Sequence, residues 1–176
     1  GWNATLRYRR GEWRPAALLH EQAIALRALP HRRLIGRVNA AQAWLEALEL
    51  DLAVHNATAA IQDSRLLRLP DLEARATWVH RTALYRQGNT KQVCIDLVDA
   101  AFDVSDRRGA LHAMTEAAIG WRLNHPQTPE LAARAAAGFR SSGVNAGALL
   151  ADALEAASRN ETCDRPQATL TQALAV

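Results

Sequence analysis

The stretch Tyr8-Arg9-Arg10-Gly11 returns later in the chain as Tyr85-Arg86-Gln87-Gly88. Each copy closes a segment whose apolar residues recur at helical spacing, and each is followed at once by a second such segment, Trp13 to Leu29 and Asn89 to Phe102. A glycine lacks Cβ and can turn the backbone through the left-handed region at little cost, so it ends one helix and frees the chain to begin another. Two helices joined in this way form a hairpin, and one hairpin cannot bury its apolar face alone. The pattern therefore predicts stacked helical hairpins sharing a continuous core.

Composition agrees. Alanine and leucine dominate an apolar content of 49%, while β-branched and aromatic residues are scarce. Such side chains lose little entropy in a helix, and no run alternates as a strand would, so the chain reads as all-α. Its 176 residues suit about four hairpins. No stretch approaches the roughly 18 apolar residues of a membrane span. Cys94 and Cys163 match no metal-ligand or redox spacing, which favours a reduced, cytoplasmic setting. The chain starts without an initiator methionine and just before a helix end, and is read as a segment of something larger.

Taken in order, the first helix ends at Gly11, and the second runs from Trp13, with Pro15 in its first turn, until Pro30 stops it. A third helix is expected over about Arg33 to Leu50. A fourth runs from about Leu52 to Leu69, stopped by Pro70, with Asp51 standing where the other hairpins have glycine. Asp71 is expected to cap the fifth helix, which carries Trp78, Thr82 and Tyr85 to Gly88. Asn89 caps a sixth. The seventh opens at Ser105 or Asp106 and reaches Leu123, and Thr128-Pro129-Glu130 starts an eighth that ends at Ser142-Gly143. A last helix from Asn145 to Ser158 is placed to cover the apolar end of the stack. Residues 1 to 158 are thus expected as one repeat domain, with 159 to 176 a polar, loose tail. The Gly11-to-Gly88 distance sets the repeat at about 37 to 40 residues.

With these residues in place, the chain resembles a tetratricopeptide-type array. Gly11, Ala16 and Ala23, and again Gly88, Val93 and Ala100, stand at the points where that family uses small residues between paired helices. The stretch from Gly88 to Gly143 is similar to the carboxy-terminal repeats of bacterial signal-transduction ATPases and related transcription regulators. The similarity rests on Asp106-Arg107-Arg108-Gly109 and on Pro129-Glu130-Leu131-Ala132-Ala133-Arg134. The resemblance implies a right-handed α-solenoid with a carboxy-terminal capping helix. It also implies a concave groove lined by the first helix of every hairpin. Nucleotide-binding, DNA-binding and catalytic segments of such regulators are not found in the chain.

Arg75, Trp78, Thr82, Tyr85 and Arg86 share one stripe of the fifth helix. Carried over from the resemblance, the groove would also take Thr5, Tyr8 and Arg9, then Leu45, Leu48 and Glu49, then His112, Thr115 and Arg122. Arginine beside an aromatic ring can clamp a carboxylate or phosphate while the ring supplies apolar contact. The other reading is that Trp78 and Tyr85 pack between hairpins. His20 falls on the seam between helices, and Trp2, Trp13, Trp44 and Trp121 read as packing residues. His112 and Glu116 lie one turn apart with no third ligand, so no metal site is expected. No nucleophile elbow, phosphate-cradling loop or paired carboxylates support catalysis, and no cofactor is implied.

Charge adds one more feature. Residues 1 to 37 hold eight arginines against Glu12 and Glu21, a local +6, although the whole chain carries only +3. The expected function is a binding module that takes an acidic protein segment or a small effector. The alternatives are nucleic-acid or anionic-surface binding through the arginine-rich first 37 residues, and a homodimerising scaffold.

Overall fold

The computed structural model describes residues 2–89 and 107–159, and within them the chain is all helical, with eight helices and no strand. The chain divides into two compact units, residues 1–94 and 95–176. The first holds α1 (Trp2–Arg9), α2 (Trp13–Ala25), α3 (Pro30–Glu46), α4 (Leu50–Leu67) and α5 (Pro70–Arg86). The second holds α6 (Arg107–Arg122), α7 (Thr128–Ser141) and α8 (Asn145–Ser158). Within each unit every helix packs on the next, and α3 also meets α5, as α6 meets α8. The helices are joined by two to five residues, which turns neighbours antiparallel.

One corner recurs. At Gly11 the chain enters the left-handed region (φ +78°), Glu12 N–H donates to the Arg7 carbonyl at 3.0 Å, and Gly11 N–H donates to Tyr8. This pair of bonds is a Schellman motif, which satisfies carbonyls that a helix end leaves without partners. The same pair closes α3 at Leu48 (φ +61°), α4 at Arg68 (φ +55°), α5 at Gly88, α6 at Asn124 (φ +51°) and α7 at Gly143. Leu48, not Asp51, occupies the place of the glycine in the second hairpin. Asp51 lies in the first turn of α4, where a carboxylate meets the positive end of the helix dipole.

The prolines do the opposite of what the sequence suggested. Pro30 and Pro70 are the first residues of α3 and α5, preceded by non-helical Leu29 and Leu69. Proline has no N–H to contribute, and the first helical position needs none, so it starts a helix as readily as it ends one. In consequence α2 ends at Ala25, four residues before the expected stop, and leaves Leu26 86% exposed. Asp71 sits inside the first turn of α5 and makes no side-chain cap. Gln127, not Thr128, precedes α7. The Thr128 hydroxyl donates instead to the His125 carbonyl at 2.7 Å. The last helix has the expected bounds. The expected sixth helix, from Asn89 to Phe102, and the polar tail lie outside the described residues apart from Asn89 and Arg159.

Most buried apolar residues are alanine, so helices approach closely and each buried side chain removes little area from water. Larger residues fill the places between three helices. Leu34, Val38, Ala60 and Ala76 form one such cluster across α3, α4 and α5. In the second unit Phe139 is the largest member of a cluster with Ala110, Ala113, Ala135, Ala136, Ala148 and Ala151. Polar ties knit the first unit across its helices. Glu21 of α2 accepts from Trp44 Nε1 of α3 at 2.8 Å and from Asn56 Nδ2 of α4 at 3.0 Å, and Arg37 pairs with Asp63 at 3.0 Å.

Candidate ligand-binding site

The α5 stripe is turned toward α3. Trp78 is 6% exposed and Thr82 is buried, its hydroxyl donating to the Trp78 carbonyl at 2.8 Å one turn earlier. Arg75 donates through Nη2 to Asn39 Oδ1 at 3.3 Å and lies 3.5 Å from Gln42 Oε1, both on α3. Arg86 is exposed, and its Nη1 donates to the Leu45 carbonyl at 3.2 Å, near the carboxy-terminal end of α3. A cation there also meets the negative end of the helix dipole. Tyr85 is half-buried. Of the two readings of Trp78, the structure selects packing. The stripe binds α5 to α3 and leaves Arg86 and part of Tyr85 on the surface.

The other candidates are dispersed. Tyr8 is half-buried and Arg9 exposed in the last turn of α1, and Leu45 is buried while Leu48 is exposed. His112 is buried on α6 and Arg122 is exposed in the last turn of that helix, both in the second unit. The tryptophans also divide. Trp44 is buried as expected, but Trp2 is 88% exposed, and Trp13 and Trp121 are exposed as well.

Exposed Trp2 leads to a cavity that the sequence did not single out. Trp2, Thr5, Leu6 and Arg9 stand at i, i+3, i+4 and i+7 on α1, and with His20 of α2, Arg27 of the following loop and Asn39 of α3 they line a space of about 270 Å³. Among the described residues two guanidinium groups line it and no carboxylate does. Arg27 is seated by a 2.6 Å bond from Nη1 to the Arg32 carbonyl and by the missing side chain of Gly36, where a Cβ would lie 2.9 Å from the same nitrogen. Asn39 accepts from Arg75 through Oδ1, which leaves its amide N–H groups as donors.

His20 is 3% exposed, and its enclosed Nδ1 has no hydrogen-bond partner among the described residues. Burial lowers its pKa from 6.5 to about 4, and the positive charge of Arg27 pushes the same way. The imidazole is therefore neutral at pH 7. The seam position read for His20 is correct, and the same residue also forms a wall of the cavity. Two signals pointed toward this site: spacing along α1, which places Trp2, Leu6 and Arg9 on one face, and the resemblance, which put Thr5 and Arg9 in a groove. Arg27 lies in a loop and had none.

A second cavity of about 300 Å³ is lined by Pro30, Arg33, Arg37, Asp63, Leu66 and Leu67, and it holds its own counter-charge in the Arg37–Asp63 pair. Pairing also thins the arginine-rich segment, because Arg7 meets Glu12 and Arg14 meets Glu49 at 3.5 Å. Among the described residues no three histidine, cysteine or acidic side chains gather as a metal ion would need, and no helix is long and apolar enough to cross a membrane. No protein-family model, curated protein or solved structure matches the chain significantly.

Proposed function

We propose that this chain is a tetratricopeptide-like binding module. It would serve as the sensing or interaction part of a bacterial regulator or signalling protein, and it would recognise an anionic partner, either an acidic protein segment or a small effector, through the first-helix face of its first unit. The observation that carries the reading is the cavity at α1, in which Arg9 and Arg27 stand without a lining carboxylate beside the apolar walls of Trp2 and Leu6. Arg9, Asn39 and Arg75 come from α1, α3 and α5, the helices that a hairpin array would turn toward one groove. Guanidinium groups beside an indole supply charge-assisted hydrogen bonds and apolar area together. The arginines of residues 1 to 37 that already face Glu12, Glu49 and Asp63 weaken the competing nucleic-acid reading.

Titration calorimetry with a hexaglutamate peptide tests the proposal. Binding is expected at roughly micromolar affinity, since a short extended segment spends much of its contact energy on ordering. It should weaken steeply with salt. Arg9→Ala should reduce it about tenfold without moving the thermal midpoint, because Arg9 is exposed and pairs with no acidic side chain among the described residues. A neutral hexaglutamine peptide that binds equally well, or an Arg9→Ala protein that binds hexaglutamate unchanged, would defeat the reading.

A further inference from the structure

We infer that the cavity bounded by α1, α2 and α3 is a pocket for a small organic acid, one carboxylate on a flat apolar body, with Arg9 and Arg27 receiving the carboxylate and Trp2 and Leu6 the body. The inference rests on the reading of this face as anion-recognising and goes beyond it by naming what its cavity holds. Three observations carry it. The first is size. About 270 Å³ lies just below the ~300–1,000 Å³ of pockets for drug-sized ligands, and at roughly 30 Å³ per water it is the room of about nine waters. A ring with a short acid chain fills such a space. A long peptide would occupy it only with one side chain.

The second is the division of the lining. Trp2 and Leu6 form the apolar part, while Arg9, Arg27 and Asn39 offer hydrogen-bond donors. A polyanion such as a phosphate ester would gain from the arginines but would leave the indole and the leucine facing a hydrated group. A purely apolar ligand would bury both guanidinium groups against hydrocarbon, which is costly unless each keeps a partner. A single carboxylate on an apolar body satisfies both halves.

The third is His20. It is the buried member of the lining, and its ring closes one wall of the cavity as a neutral group. The charged groups around the imidazole are Arg9 from α1 and Arg27 from the loop, while Asn39 of α3 is neutral. Glu21, next to His20 on α2, is engaged by Trp44 and Asn56. An entering anion therefore meets cations and a neutral donor, with no acid to repel it.

The test uses 3-phenylpropionate, its neutral isostere 3-phenylpropionamide, and the tripeptide Gly-Gly-Phe, which presents the same acid and ring at a chain end. Binding to the intact chain is followed by calorimetry and by the histidine ring signals in NMR. The free acid should bind in the range of tens of micromolar, the amide at least tenfold more weakly, and the His20 ring signals alone should shift to saturation. Arg9→Ala and Arg27→Ala should each weaken the acid tenfold or more. The amide comparison needs no variant, so it stands even if Arg27→Ala unfolds. Equal binding of acid and amide, or acid binding that leaves the His20 signals unmoved, overturns the inference. So does tight binding of Gly-Gly-Phe with none of the free acid. If hexaglutamate binds while 3-phenylpropionate does not, the pocket assignment falls and the module reading stands. Binding of the acid with no response to hexaglutamate limits the module to small ligands.

Discussion

Gly147 sits in the first turn of α8, and the rules of helix propensity say that alanine there should stabilise the protein by about 1 kcal/mol. The structure says otherwise. A Cβ built on Gly147 would lie 2.8, 2.9 and 3.0 Å from Cγ, Cδ1 and Cδ2 of Phe139. Those are distances that carbon atoms do not adopt, against about 3.5–4.0 Å at their optimum. Phe139 is 6% exposed and held by Ala110, Ala113, Ala135, Ala136, Ala148 and Ala151, so the ring has nowhere to retreat without pushing on α6 or α7. Forcing an extra methyl into a packed core costs about 1–3 kcal/mol net in measured cases. Gly147→Ala is therefore expected to destabilise the second unit by about 1–2 kcal/mol, with the sign opposite to the propensity rule. Urea denaturation followed by circular dichroism gives the midpoint, and amide exchange over residues 145 to 158 localises the loss. The companion variant Phe139→Leu removes the clash, so in the double variant the cost of Gly147→Ala should vanish or reverse. A Gly147→Ala protein more stable than the parent would refute the close packing of α8 on Phe139.

Two further outcomes follow from backbone and charge. Leu48 is 69% exposed with φ +61°, a conformation that costs a non-glycine residue about 1–2 kcal/mol, so Leu48→Gly should raise the stability of the first unit by about 1 kcal/mol, read as a higher urea midpoint. A lower midpoint would mean that the corner at Leu48 is not left-handed. His20 titrates near 4 in the folded chain and near 6.5 when unfolded, so below 6.5 the unfolded state binds the extra proton. Its stabilising contribution is present above pH 6.5 and lost as pH falls toward 4, up to about 3 kcal/mol, with His80 adding in the same direction because burial and Arg81 lower its pKa too. The stability difference between parent and His20→Gln, followed from pH 7.5 to 4, should shrink by that amount. A difference that stays constant with pH excludes a buried, neutral His20.

What the sequence disclosed and what it hid divide along physical lines. Helix content and the corners at Gly11, Gly88 and Gly143 were readable because glycine marks the left-handed backbone. The equivalent corners at Leu48 and Arg68 were not, since there the two closing hydrogen bonds hold residues that carry no such mark. Pro30 and Pro70 misled because one residue type serves both helix ends. Spacing puts Arg75 on one stripe of α5, but periodicity identifies a face without saying what lies against it, and here Asn39 and Gln42 of α3 lie against that arginine. The cavity was hidden for a related reason. Its walls come from α1, α2, a loop and α3, and only the Trp2-to-Arg9 spacing is local.

The packing of each helix on the one that follows it also has a kinetic consequence. Native neighbours within a unit are close along the chain, because connections of two to five residues join consecutive helices. Little loop-closure entropy is spent before a new contact is rewarded, and chains of such low contact order fold in microseconds to milliseconds. Growth can begin at any adjacent pair and spread to the next. Loss should run the same way, neighbour by neighbour, so separation of α1 from α2 would remove the α1 cavity while the α3–α5 cluster still holds.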